Sequence, residues 1–330
     1  MKAQVIHETG NPDVFRRVEL PRPETGPGQV LIRNLATSVN PIDCKIRSGA
    51  VKGILGDRFP LVLHSDVAGT VEEVGEGVEH VFPGDEVFAY VAAGGALADY
   101  VVADASVVAP KPASLTFAEA AALPLVATTA WEALVDRAKI QSGQHVLIHA
   151  ATGGVGHVAI QLAKAFEARV AATASSEEKL AVARRLGADE QINYRNESVE
   201  SYMERLTDGT GFDVVFDTVG GENLDRSFQA AKPQGTVAVI AARSTHDLSP
   251  LHAKSLTLHV VFIILTQRTA AGRAHHGRIM REISRLADVG KIKPLLDQHR
   301  FTFEEAAMAH RRLESGEAVG KIVLENTRIG

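Results

Sequence analysis

Hydrophobic and polar residues alternate along the first third of the chain in short runs broken by glycine and proline. Gln29 to Arg33 follows a Pro/Gly cluster at Pro21 to Gly28, the pattern of a loop entering a strand. Gly69 to Val74 alternates and ends in Gly-Glu-Gly. Asp85 to Val91 and Ala98 to Val102 are further short strands. This spacing predicts a strongly curved antiparallel unit. Near Ala118 the pattern changes, and apolar strand runs alternate with helical periods. Strands are expected at His145 to His149, Arg169 to Thr173, Glu190 to Tyr194, Asp213 to Asp217 and Thr236 to Ile240. Helices fall between them at Val155 to Phe166, Glu177 to Leu186 and near Glu222 to Ala231. Such β-α-β-α order predicts a doubly wound parallel sheet. After about Leu265 the alternation stops. Helices are expected at Ala274 to Val289 and Phe303 to Leu313, with short strands near Lys293 to Leu295 and at Lys321 to Leu324. There is no internal repeat.

The composition narrows the classes. With 330 residues, the length suggests about two domains. One cysteine forbids an intrachain disulfide and any metal site with two Cys ligands. The net charge of −5 argues against general nucleic-acid binding. The opening segment has no apolar signal core, and the longest apolar run, near Leu258 to Leu265, is short of the roughly 20 residues of a spanning helix. The expectation is a cytoplasmic protein with no membrane partner.

Ala150 to Gly156, Ala-Ala-Thr-Gly-Gly-Val-Gly, carries the most chemistry. It joins an apolar strand to a helix, where a dinucleotide fingerprint must lie. Gly153 and Gly156 take the second and third positions of G-x-G-x-x-G, and Ala151 replaces the first glycine. Backbone N–H groups of Thr152, Gly153, Gly154, Val155 and Gly156 would then face a pyrophosphate. At the end of the next strand, Ser175 stands where an acidic residue would grip the ribose of NAD, and Lys179 can reach a 2′-phosphate. This favours NADPH over NADH. The plain alternative for Lys179 is a solvated helix residue.

With these residues the whole chain resembles the medium-chain dehydrogenase/reductase superfamily, in its zinc-independent branch of quinone oxidoreductases and enone reductases. The resemblance rests on Pro27-Gly28-Gln29-Val30-Leu31, Val39-Asn40-Pro41-Ile42-Asp43, Asp66-Val67-Ala68-Gly69, Pro83-Gly84-Asp85-Glu86-Val87, Ala121-Ala122-Leu123-Pro124 and Gly320-Lys321-Ile322-Val323-Leu324. It implies an α/β protein with a GroES-like β-rich catalytic domain, built from residues 1–121 and 266–330, and a Rossmann domain at 122–265. Substrate would bind between the two.

Zinc members of the superfamily use Cys and His ligands. Here Asn40 stands at the first Cys position, Ser65 at the His position and Asp66 at the acidic one, so no metal is expected. His145 and His149 would lie about 13 Å apart on one strand, too far for one ion. Without a Lewis acid, a conjugated acceptor is the natural hydride acceptor, because charge spreads onto its carbonyl oxygen and hydrogen bonds suffice to hold it.

The candidate donors are Asn40, Lys45 and Ser65. Asn40 could instead form an Asx turn with Pro41, and Lys45 could bind the ribose or face solvent. Thr129 would line the nicotinamide side. Tyr194 resembles the family residue that flanks the adenosine phosphate, and Asp217 would sit at the cofactor edge or cap its own turn. The run Thr257 to Leu265 resembles an edge strand that pairs in a homodimer. The leading expectation is an NADPH-dependent reductase of quinones or enones. A weakly active cofactor-binding structural protein and an alcohol dehydrogenase are the alternatives.

Overall fold

The computed structural model describes residues 1–54 and 59–328. The chain divides into two compact units. One comprises Met1–Thr128, Ile264–Gly290 and Pro294–Gly330, and the other Thr129–Ile263 and Lys291–Lys293.

The first unit is built on a seven-stranded sheet. Its strands run in the order Phe301–Thr302, Ile322–Glu325, Gln29–Val39, Asp66–Val74, Glu86–Tyr90 and Ala109–Pro110, and Tyr100–Asp104 also pairs with Gln29–Val39. All pairings are antiparallel except the one between Phe301–Thr302 and Ile322–Glu325. Gln29–Val39 is longer than the alternation at Gln29 to Arg33 suggests. It shifts register at Leu31/Ile32 and at Asn34/Ala36 against Asp66–Val74, and such bulges bend a strand. The period-2 pattern fills one face: Val30, Ile32, Val67, Val71, Val87, Ala89, Val101 and Ala103 form one core. Gly69 sits where a Cβ would lie 2.0 Å from the Arg33 carbonyl oxygen, so only glycine lets these strands approach. A smaller sheet joins Phe15–Glu19, Lys2–Ile6 and Leu61–Val62.

The second unit holds six parallel strands: His145–Ile148, Arg169–Ala174, Glu190–Asn193, Phe212–Asp217, Ala231–Val239 and Thr257–Val260. Numbered along this unit, they lie in the order 3-2-1-4-5-6, the doubly wound arrangement whose chain reversal falls between strands 1 and 4. Helices Gly156–Ala165, Glu177–Arg185, Val199–Thr207 and Glu222–Ala230 connect them. Apolar residues on successive strands, among them Leu147, Ala171, Ile192, Val215 and Val237, form the core on one side.

Three expectations are corrected, and one helix is added. The segment Lys293 to Leu295 forms no strand, and only an isolated bridge joins Leu296 to Lys321. The apolar run Thr257 to Leu265 is a strand only over Thr257–Val260 and turns helical at Ile263–Thr266. The helix expected from Ala274 starts at Ala270, capped by the Thr269 side chain on the Gly272 amide. Helix Pro41–Ser48 was not expected, because its eight residues are too few to show a helical period. Among the described residues no helix is long and apolar enough to cross a membrane.

Candidate active site

The glycine-rich turn begins where strand His145–Ile148 leaves the sheet. Ala150 takes a left-handed conformation, φ 54°, and its neighbour Ala151 donates its N–H to the Thr173 carbonyl at 2.9 Å. Gly153 closes the turn on the Ala150 carbonyl at 2.9 Å. Helix Gly156–Ala165 then starts hard against that carbonyl: a Cβ on Gly156 would lie 2.1 Å from the Ala150 oxygen, and one on Gly153 3.2 Å. The last glycine of the motif is therefore fixed by helix–strand packing. The helix turns the positive end of its dipole to this site, and its first turn holds no acidic side chain, so this end is suited to an anion. Thr152 is buried beside it, and Gly153, Gly154 and Val155 are half-buried.

Around the neighbouring strand ends the expected residues separate into two kinds. Ser175 and Lys179 are half-buried at the start of helix Glu177–Arg185. Ser176 caps that helix by accepting the Lys179 amide at 3.4 Å. Glu177 accepts a hydrogen bond from the Asn193 side chain at 3.4 Å. Tyr194 follows strand Glu190–Asn193 with 48% of its surface exposed, and Thr129 is buried. Of the two roles weighed for Asp217, the cofactor edge and the cap of its own turn, its hydrogen bonds make the second. Its Oδ1 accepts the amides of Val219 and Gly220, both at 2.8 Å, and its Oδ2 accepts the Ser227 hydroxyl at 2.9 Å. A fully buried carboxylate with these donors shapes its own turn, so the structure places Asp217 as a cap.

His149, weighed in the sequence only as a metal ligand, sits between strand and turn. Its Nδ1 lies 3.3 Å from the Thr173 hydroxyl, and its Nε2 is buried with no partner among the described residues. Burial pulls its pKa down to about 4, outweighing Asp217, so the ring is neutral at pH 7.

The first unit gathers the motif residues from both ends of the chain. Asn40 precedes helix Pro41–Ser48, and its backbone N–H donates to Asp43 Oδ2 at 2.8 Å. Its side chain is 1% exposed in total residue area and fully engaged. Nδ2 donates to Asp66 Oδ2 at 2.7 Å, and Oδ1 accepts from Lys321 Nζ. Asp66 also accepts from the Ser38 hydroxyl at 2.5 Å and the Leu125 amide at 2.7 Å. Lys321 adds a hydrogen bond to the Val39 carbonyl at 3.1 Å and stands 3.5 Å from Asp66 Oδ2. Burial lowers the Lys321 pKa, while Asp66 and Asp43 pull it up. Burial, with Asp66 nearby, pushes the Asp43 carboxyl up to about 7, against the hydrogen bond from Asn40 and the charge of Lys321.

Of the three donors expected, Asn40 thus has its amide committed inside the protein. Lys45 is exposed on helix Pro41–Ser48, and Ser65 is buried. Lys321 and Asp43 belonged to quoted motifs, but nothing local in the sequence marked them as partners of Asn40.

Beside this cluster runs a chain of buried hydrogen bonds. Cys44 Sγ lies 3.4 Å from His310 Nδ1, His310 Nε2 lies 3.0 Å from His64 Nε2, and His64 Nδ1 lies 3.5 Å from the Thr37 hydroxyl. Thr37 in turn donates to the Asp66 carbonyl at 2.6 Å. One arrangement satisfies every link: the thiol donates to His310, His310 donates through Nε2, and His64 donates through Nδ1. Both rings are then neutral, in agreement with burial driving His64 well below its ordinary value and His310 down to about 3. These rings face one another and not Asn40. Among the described residues no three His, Cys, Asp or Glu side chains gather as a metal site.

Comparison with known proteins agrees with this architecture. Residues 26–113 match the alcohol dehydrogenase GroES-like domain family, and residues 186–324 match the zinc-binding dehydrogenase family. An NADPH-dependent alkenal/one oxidoreductase of Arabidopsis thaliana is 34% identical over 98% of this chain and 79% of its own length. An alcohol dehydrogenase superfamily protein from Novosphingobium aromaticivorans superposes with a TM-score of 0.91 at 40% identity, covering 98% of this chain and 99% of that one. The Escherichia coli quinone oxidoreductase, solved with NADPH, superposes with a TM-score of 0.88 at 30% identity over 98% and 100% of the two chains. The chain is an oxidoreductase of the medium-chain dehydrogenase/reductase superfamily, in the branch of quinone oxidoreductases and enone reductases.

Proposed function

We propose that this protein is an NADPH-dependent reductase that transfers hydride to a quinone or an α,β-unsaturated carbonyl compound, without a metal. The observation that carries this reading is the glycine turn, in which Gly156 is packed against Ala150 and the start of its helix is free of acidic side chains. That end would hold the pyrophosphate, with the amides of Thr152, Gly154, Val155 and Gly156 as donors, while the Gly153 amide is spent on the Ala150 carbonyl. Ser175 and Lys179 would receive the 2′-phosphate, Tyr194 would flank the adenosine, and Thr129 would line the nicotinamide side. NADPH, when bound, supplies the hydride.

The metal-free reading is supported by the chemistry of the residues where a ligand set would stand. Asn40 and Asp66 already share the Lys321 ammonium, and a divalent cation placed among them would meet that positive charge. The acceptor must then carry its own electron sink. An enone or quinone does, because the incoming charge moves onto oxygen, where Ser65 or Lys45 is proposed to donate. A plain aldehyde or ketone lacks that conjugation. The edge strand Thr257–Val260, with Val260 57% exposed, is proposed to pair with a second copy.

Fluorescence titration with NADPH and NADH, followed by cofactor oxidation with a quinone, an alkyl enone and an aldehyde, tests the reading. Tighter binding of NADPH with turnover of the first two substrates is expected. Absence of NADPH binding would overturn it, and binding without turnover would point to a structural or binding protein.

A further inference from the structure

The loop after strand Ala231–Val239 carries a constellation that the reductase reading does not use. Within the second unit, His246 Nδ1 lies 2.8 Å from Asp225 Oδ1, and His246 Nε2 lies 2.5 Å from the Ser244 hydroxyl. Asp225 stands on helix Glu222–Ala230, while Ser244 and His246 are two residues apart on the loop. The ring is held in place. Its side chain is 9% exposed, and it meets Phe228 of the same helix edge to face, with centroids 6.1 Å apart at 81°.

The hydrogen bonding sets the tautomer. A carboxylate accepts only, so the proton of the neutral ring sits on Nδ1, and the Nε2 lone pair faces the serine O–H. Nucleophile, base and orienting acid then stand in the relation that activates a serine, a relation recognised by geometry and not by order in the chain. Ser244 itself is exposed, so a reagent can reach its oxygen.

We propose that Ser244 is a nucleophile that accepts short acyl groups from activated carboxylic esters, with His246 as base and Asp225 as its orienting partner. The Ser244 oxygen attacks the ester carbonyl carbon while its proton passes to His246 Nε2. The carbon–oxygen bond to the leaving group breaks, and the alcohol or phenol departs with that proton, or departs as its anion while His246 passes the proton to solvent water. Water then attacks the acyl-serine, gives a proton to His246, and releases the carboxylic acid as the serine regains its hydrogen. No oxidant or reductant is required.

The test uses the full-length protein without added NADPH. A fluorophosphonate reagent should label Ser244, read by peptide mass spectrometry. Release of p-nitrophenol from p-nitrophenyl acetate at pH 7.5 should fall at least about a hundredfold in Ser244→Ala and in His246→Gln, the low side of what a general base contributes. Thermal midpoints of the variants, measured in parallel, should stay close to that of the unaltered protein. Labelling of the unaltered chain at other residues while Ser244 stays free would overturn the proposal, and so would equal release rates in the folded variants. In either case the three side chains serve only to fasten the loop to its helix. Should a variant fail to fold, the labelling of the unaltered protein decides alone.

Discussion

Lys321 donates a hydrogen bond to Asn40 Oδ1, joining residues 281 positions apart, and the same ammonium stands 3.5 Å from the buried carboxylate of Asp66. One lysine at the start of the last strand thus holds together two motifs from the first 70 residues. Lys321→Met removes the only cation paired with Asp66 among the described residues and leaves a fully buried carboxylate with neutral donors alone. Loss of one partner of a buried pair costs about 3–5 kcal/mol. Urea unfolding at pH 7 should show a loss of that order. The double variant Lys321→Met/Asp66→Asn should recover part of it, because a neutral amide needs no counter-charge. A single-variant loss under about 1 kcal/mol, the range of a surface pair, would contradict the assignment.

Gly156→Ala tests the glycine turn. The new methyl would overlap the Ala150 oxygen, so helix or turn must shift, at about 1–3 kcal/mol of stability. The same shift would displace the helix end proposed to hold the pyrophosphate. NADPH affinity should fall at least about tenfold, roughly 1.4 kcal/mol. Gly153→Ala, with its methyl 3.2 Å from the same oxygen, should do less on both counts. Equal effects in the two variants would show that packing against Ala150 is not what selects glycine here.

The parts of the fold that were legible were local. The alternating strands, the βα order and the glycine turn each write their geometry within about ten residues. The apolar run Thr257 to Leu265 was less so, because a continuous apolar stretch fits a strand or a buried helix equally, and it became a strand followed by a helical turn. What stayed hidden was the pairing of distant polar residues. His64 and His310 are 246 positions apart, and nothing in either neighbourhood reports the 3.0 Å contact between their rings. Asn40 was singled out as a motif residue and candidate donor. The acceptors and donors that occupy its amide come from Asp66 and Lys321, which only the closed sheet brings to it.

Lys179 stands at the third position of its helix with its backbone amide held by Ser176. If its ammonium receives the 2′-phosphate, Lys179→Ala should weaken NADPH binding and leave NADH binding nearly unchanged. The preference ratio should narrow by about tenfold, as expected for one lost charged hydrogen bond of about 1.5 kcal/mol. Fluorescence titration with both cofactors measures it. An unaltered ratio would assign Lys179 to solvent.

Cys44 is 7% exposed, and burial, reinforced by Asp43, pushes its thiol up to about 12. The thiolate is the reactive form, so iodoacetamide at pH 8 should leave the folded protein unmodified. In denaturant, one equivalent should be incorporated. Rapid labelling of the folded chain would show that the hydrogen bond to His310 is not maintained in solution.

The buried ionisable groups give the stability a definite dependence on pH. Asp43 is raised from 3.8 to about 7, so between those values the native chain holds a proton that the unfolded chain has released. By itself this makes stability fall as pH rises through that window. The imidazoles act the other way. His310 is lowered from 6.5 to about 3 and His149 from 6.5 to about 4, and His64 also lies well below 6.5. Between about pH 4 and 6.5 the unfolded chain binds protons at these rings that the native chain does not, so their contribution grows with pH. Three rings outweigh one carboxyl, and the net effect of these groups is stability that rises from pH 4.5 to 6.5. Asp43→Asn keeps an oxygen to accept the Asn40 amide and removes the opposing proton. The rise should therefore steepen, by at most about 1.4 kcal/mol per pH unit. Urea unfolding of both proteins at pH 4.5, 5.5 and 6.5 measures the two slopes. Parallel profiles would mean that Asp43 is already ionised across this range, held so by Lys321.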